Sequence, residues 1–306
     1  MEVSFLLLKQ IVSLFLIIGM GILLVRSNLL TKADTKGISV TTLYLIIPCV
    51  IIHAFQVDFT PEVRDGLILS FVCATVMHII LLAGTALFGK LFHLDAVEKA
   101  SIIYSNAGNL IIPIVTALFG PEWIIYSCGF MFVQILLLWS HGRMLLCGEK
   151  RLDLKKLLLN VNLISATIGL LLFSFRIQLP ALIDDAMASV GSMIGPLSMI
   201  VTGILIGSMT LKQLMAYHRV ILTSCLRLLI LPALILLVIK LTGMESFHPE
   251  GHTIILIGFL AAIAPSASSI TQMALVYGKD AEYASVINVV TTLACIVTMP
   301  VMVMVF

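Results

Sequence analysis

The stretch Tyr104–Pro113, YSNAGNLIIP, decides how this chain is read. It lies within an apolar segment long enough to cross a bilayer, yet it carries two asparagines, a glycine and a proline at mid-depth. Asn106 and Asn109 are unfavourable in hydrocarbon unless something hydrogen-bonds them. Pro113 removes a backbone donor and clashes with the carbonyl four residues back. In a membrane such an interruption is tolerated only where it is buried in protein or lines a wet cavity. The stretch is therefore expected to touch whatever the protein handles.

Composition points the same way. Of 306 residues, 60% are hydrophobic and only 11% charged, and mean hydropathy is +1.15. These values belong to a polytopic membrane protein. The six cysteines (Cys49, Cys73, Cys128, Cys147, Cys225, Cys295) are scattered in apolar runs without CxxC spacing. Buried thiols are expected, with no metal site and no disulfide framework. The first 25 residues superficially resemble a signal peptide, but the early charge is Glu2 and no small-residue cleavage site follows, so the run is read as a first helix.

At ~1.5 Å rise and ~30 Å of hydrocarbon, ten spans can be laid out. They cover Val3–Val25, Gly37–Phe55, Gly66–Gly89, Glu98–Leu118, Glu122–Leu146, Leu157–Phe175, Ile183–Gly207, Tyr217–Leu241, Thr253–Tyr277 and Ala281–Phe306. The fourth contains YSNAGNLIIP and the ninth is interrupted by APSASS. Of the 18 lysines and arginines, thirteen fall in the links after odd-numbered spans and three on the opposite side (Arg64, Arg176, Lys240), with Lys9 and Arg227 inside spans. The positive-inside rule then puts both termini outside, in a multi-pass plasma-membrane protein.

Punctuation in the sequence repeats. Gly21 to Pro48 and Gly169 to Pro196 are both 27 residues apart, while Pro48 to Pro113 is 65 and Pro196 to Pro265 is 69. Residues 1–156 and 157–306 thus read as two five-helix copies, and because five is odd the second enters the membrane inverted. Matched prolines also arise by chance in membrane helices. Two matched intervals together with two polar breaks favour the repeat, which is the pattern of secondary transporters that bind substrate at the midplane.

Candidate chemistry follows from the two breaks. The first offers Asn106, Gly108 and Asn109 ahead of Pro113; the second offers Pro265, Ser266, Ser268, Ser269 and Gln272. Hydroxyls and unpaired N–H groups at the start of a half-helix suit an anion. A lone serine in such a helix more often bonds back to a carbonyl. Arg227, near the middle of span eight, either attracts an anionic substrate or satisfies carbonyls freed by Pro232. His78, in span three, is a proton-coupling candidate or a neutral, hydrogen-bonded core histidine. Gln134 and Asn288 sit at similar offsets after the two prolines and are expected to line one cavity. His53, His93 and His141 lie near span ends and are expected to face the interface. Away from the span ends no Asp or Glu falls inside a span, which argues against carboxylate relays and sodium cages. No catalytic motif, cofactor motif or nucleic-acid-binding feature is present, so an enzyme is not expected.

Taken together these residues resemble the auxin efflux carrier family, which includes plant PIN-type transporters and bacterial permeases of the malate/malonate kind. The resemblance runs over nearly the whole chain. It is carried by GMGILLVRSNLL, Pro48, YSNAGNLIIP with TALFG, LLLWSHG, RLLILP, IAPSASSITQMALVYGKD and NVVTTLACIVTMP. It implies an all-α fold of ten transmembrane helices like that of bile-acid/sodium symporters, with two inverted repeats and crossed broken helices. It further implies a scaffold of spans 1, 2, 6 and 7, and a transport domain of spans 3–5 and 8–10. A small carboxylate would be held near Asn106 and moved by an elevator-type shift, as a uniporter or with protons, in a bacterial inner membrane. Homodimerisation through the scaffold is implied by the same analogy. Two departures are Ile111, where many members have glycine, and NVN in place of the Asn-Pro that usually opens span six. A sodium-coupled symporter, or a sensor or channel on the same scaffold, are the alternatives.

Overall fold

The structure, a computed structural model, describes residues 2–58, 60–120, 123–148, 155, 158–159, 161–210 and 217–306. Lys150, Arg151, Lys156 and Lys212 of the basic links lie outside this set, as do the side chains of Lys9, Gly108, Asn109 and Pro113. Most of the described residues are helical. Among the described residues the only strand-like pairing is a single isolated bridge.

Among the described residues twelve main helices follow one another: α1 (Glu2–Arg26), α2 (Lys32–Ala54), α3 (Pro61–Leu91), α4 (Ala96–Ile103), α5 (Ala107–Leu118), α6 (Ile125–Cys147), α7 (Val161–Ser174), α8 (Ala181–Gly207), α9 (Val220–Thr242), α10 (Gly251–Ile263), α11 (Ser268–Val276) and α12 (Ala281–Val305). Six of them (α2, α3, α6, α8, α9, α12) are each long and apolar enough to cross a membrane. Two apolar runs are broken instead, giving the pairs α4/α5 and α10/α11.

Local chemistry sets many of these ends. Thr60 caps α3 by accepting from the Val63 N–H at 3.2 Å, and Pro61 fills the first helical position, where a missing donor does no harm. The cap lets α3 begin five residues before the apolar run expected to start at Gly66. Its 31 residues span about 46 Å at ~1.5 Å each, more than a bilayer core, so α3 must tilt or protrude. Asp95 and Glu98 form a reciprocal capping box at the start of α4. Asp280 caps α12 through the Tyr283 N–H at 2.8 Å.

Two of the prolines lie just beyond widened turns. Thr42–Ile46 in α2 and Leu226–Ile230 in α9 are π-helical, and Pro48 and Pro232 follow within two residues. The ring of proline clashes with the carbonyl four residues back, and an i→i−5 turn just upstream relieves that clash. A third π segment, Leu138–Gly142 in α6, has no proline near it.

Helix α1 packs along the second half of α8. A Cβ placed on Gly203 would come 2.2 Å from the Ile18 carbonyl, and one on Gly21 would come 2.5 Å from that of Ile200. Only glycine allows backbones to approach this closely, the usual device for locking helices in lipid. The end of α2 packs on α7 and on the start of α8, while α3, α6 and α10 pack together. Helix α11 lies against α2, α8 and α12. Trp139, Arg227, Tyr104, Phe130 and Phe259 are among the largest fully buried side chains.

Candidate functional site

At the first break three residues (Tyr104–Asn106) leave the helix and at the second four (Ala264–Ala267), and the two non-helical pieces meet. Ser105 and Ser266 form an antiparallel bridge. The Asn106 N–H donates to the Pro265 carbonyl at 2.8 Å, and the Ala267 N–H to the Tyr104 carbonyl at 3.0 Å. Backbone groups that a break would strand in hydrocarbon are thus satisfied by the other break.

Side chains complete the pairing. Gln134 of α6 accepts from both the N–H and the hydroxyl of Ser105, each at 2.8 Å, and donates to the Ser105 carbonyl at 2.9 Å. On the other side Asn288 of α12 donates to the Ser266 carbonyl at 2.6 Å, and the Thr291 hydroxyl accepts from the Ser266 N–H at 3.1 Å. Gln134 and Asn288, expected to line a cavity, are both engaged with the backbone of the breaks. Thr291 belongs with them and had no signal of its own in the sequence.

The half-helix N-termini carry the polar groups. Helix α5 starts immediately after Asn106 and α11 immediately after Ala267, which makes no side-chain cap. Asn106 is 5% exposed. Its Oδ1 accepts from the Ser268 hydroxyl at 3.4 Å, while its Nδ2 has no hydrogen-bond partner. The Gln272 Nε2 donates to the Ser198 hydroxyl of α8 at 3.0 Å, and the Gln272 Oε1 is without a partner, as are the hydroxyls of Ser266 and Thr271. Ser198 lies two residues beyond Pro196 and was not singled out from the sequence. Ser269 is half-buried in the first turn of α11. Asn109, Gly108 and Pro113 lie in the first part of α5, with their side chains outside the described set.

The C-terminal ends of the other half-helices face Arg227. Its guanidinium is 0% exposed. Nη1 donates to the Ile102 carbonyl at 2.9 Å and the Ile103 carbonyl at 3.5 Å. Nη2 donates to Ala262 and Ala264, both at 2.8 Å, and Nε to Ala264 at 3.1 Å. Five contacts match the five donors of a guanidinium. The carbonyls reached are those of α4 and α10, not the ones freed by Pro232 in α9.

Three further findings concern ionisable groups. Glu98, the first residue of the fourth expected span, is 0% exposed. Burial is tolerated because Arg219 reaches both carboxylate oxygens at 2.6 and 3.0 Å. Tyr283 and the Asp95 N–H add bonds at 2.9 and 2.8 Å. His141 is also not simply interfacial: its Nδ1 lies 2.9 Å from the Tyr104 hydroxyl, which also donates to the Leu137 carbonyl. His53 is exposed and pairs with Asp184 at 2.7 Å. His78 is buried against Phe130, with Nδ1 donating to the Ala74 carbonyl at 2.7 Å and Nε2 without a partner. A cavity of about 310 Å³, lined in part by Lys90, Lys99, Ile103 and His141, lies beside the first break.

A helical bundle with several membrane-length, apolar spans is that of a multi-pass membrane protein. The family model described as membrane transport protein matches residues 6–152 and 149–303, so the chain belongs to that family, the auxin efflux carrier or PIN-like group. No curated protein matches it.

Proposed function

We propose that the protein is a secondary transporter of small organic anions, carboxylates such as malate, malonate or auxin-like acids, working by alternating access as a uniporter or with protons. The observation that carries this reading is the buried Asn106 Nδ2, which has no partner and stands at the start of α5 beside Ser268 at the start of α11. Helix N-termini present unpaired N–H groups and the positive end of the dipole. Two of them with an amide donor between form a receptor for a carboxylate that needs no basic side chain. Asn106, Asn109 and the Ser266–Ser269 turn would contact the anion, Gln272 would border it, and Gln134 and Asn288 would hold the two breaks in shape.

The wider architecture in this reading is ten spans in two inverted five-helix repeats. Helices α4/α5 and α10/α11 are the crossed broken spans. The pairing of two extended turns, each held by an amide brace (Gln134 and Asn288), supports that symmetry. Helices α1, α2, α7 and α8 would form the scaffold, and α3–α6 with α9–α12 would shift against it like an elevator. The glycine-mediated contact of α1 with α8 suits a rigid scaffold, and the Gln272–Ser198 hydrogen bond would be a contact across the sliding surface. His78, with its unpartnered Nε2, is the candidate for proton coupling. Both termini would face outward from a bacterial inner membrane, with dimerisation through the scaffold.

Uptake of labelled malate, malonate and indole-3-acetate into proteoliposomes, under imposed pH, sodium and voltage gradients, tests the proposal. Flux of one of these acids that Asn106→Ala abolishes is the expected result. No carboxylate flux at all, or flux indifferent to Asn106→Ala, would sink it. Strict sodium dependence would replace the coupling assignment with a symporter.

A further inference from the structure

Arg227 has no carboxylate to pair with among the described residues; every one of its hydrogen bonds goes to a backbone carbonyl. Those carbonyls belong to Ile102 and Ile103, the last residues of α4, and to Ala262 and Ala264 at the end of α10. Each helix C-terminus carries roughly half a negative charge on carbonyls that lack intrahelical partners. Two such ends meeting in the bundle therefore present about one unit of negative potential. A single guanidinium cancels it, which explains how a cation without a counter-carboxylate is accommodated at this depth.

We infer that Arg227 is a built-in monovalent cation, standing where a carrier with broken helices would otherwise bind a coupling metal ion. Half-helix C-termini and unwound carbonyls are the groups that coordinate sodium in such carriers. Here the same kind of oxygen cluster is already filled by a tethered charge that cannot dissociate. The protein accordingly has no sodium requirement, and removal of the guanidinium uncovers a latent site for a small cation among the carbonyls of Ile102, Ile103, Ala262 and Ala264. The inference rests on the transporter reading only for its bearing on coupling; the site itself stands on the geometry.

The test is the thermal unfolding midpoint of the purified full-length protein in detergent, in sodium, lithium, potassium or choline chloride at one ionic strength. Wild type is expected to be indifferent to the cation. R227A should be less stable in choline, and sodium or lithium should raise its midpoint saturably by more than about 3 °C, as a ligand that binds only the folded state does. R227K keeps a charge in the pocket and should be as indifferent as wild type. An R227A protein equally unstable in every salt, or unfolded even in sodium, overturns the inference. So does a wild type stabilised by sodium specifically. The readout requires no flux, so an inert wild type would refute the transporter reading while leaving this result standing.

Discussion

Replacing Arg219 with alanine should destabilise the protein strongly, and adding Glu98→Gln to that variant should restore much of the loss. The two partners are unequally placed: the Glu98 side chain is 1% exposed and that of Arg219 39%. Without Arg219 the carboxylate is left buried, with only the Asp95 N–H and the Tyr283 hydroxyl as donors. An uncompensated buried charge costs about 3–5 kcal/mol, and the two remaining donors place R219A near 3 kcal/mol. Glu98→Gln alone frees Arg219 to turn to water and to its carbonyl contacts at Phe92 and His93. Its cost is about 1 kcal/mol, in the range of a partly exposed pair. The double variant holds no buried charge and should regain about 2 kcal/mol relative to R219A. At about 2 °C per kcal/mol for a chain of this size, the midpoint should fall about 6 °C in R219A and recover about 4 °C in the double variant. Differential scanning fluorimetry in detergent measures both. A double variant no more stable than R219A would refute the reasoning, because it would mean that the buried charge is not what makes the single variant unstable.

Gln134→Leu leaves the Ser105 N–H, hydroxyl and carbonyl without their side-chain partner; at ~0.6 kcal/mol per hydrogen bond in a membrane interior the midpoint should drop by about 4 °C, and carboxylate uptake should fall with it. Unchanged uptake would dissociate the shape of the first break from transport. Gly203→Ala pushes a methyl onto the Ile18 carbonyl and should cost about 1–3 kcal/mol, read from the same melting curves; a neutral effect would mean that α1 and α8 separate easily. Lys32 and Glu282 form an exposed ion pair between α2 and the start of α12. Lys32→Ala should leave the midpoint within about 2 °C but change the rate of uptake, since these helices slide past one another in the elevator reading. An unaltered rate would indicate that this contact persists through the cycle.

How much of this was legible in the sequence differs between the breaks and what surrounds them. YSNAGNLIIP and IAPSASS could be read because a helix interrupted in lipid needs proline, glycine and short polar side chains, and these are conspicuous in apolar runs. The offsets of Gln134 and Asn288 marked them as related. Their partners, the backbones of Ser105 and Ser266, could not be read because a main-chain group leaves no mark on residue identity. Arg227 was visible as an anomaly, but its carbonyls lie up to 125 residues away and depend on how the two breaks come together. The burial of Glu98 was hidden for a similar reason: Arg219, which folds over it, lies 121 residues later. Pro48 and Pro232 announced distortion, though not that a π turn would precede each.

The antiparallel contact between the breaks also constrains how the chain is made. Asn106 donates to Pro265, 159 residues further along, so at ~5–20 residues per second about 8–30 s separate the synthesis of the two. During that interval the Asn106 N–H and the Tyr104 carbonyl have no backbone partner, a condition hydrocarbon penalises by several kcal/mol per group. Gln134 is only 29 residues from Ser105 and can cover the Ser105 groups as soon as α6 enters. The rest of the first break must stay hydrated, or be sheltered by the insertion machinery, until α10 and α11 arrive. The amino-terminal half is thus an obligate waiting intermediate, and quality control acting on lone first halves would recognise that exposed turn.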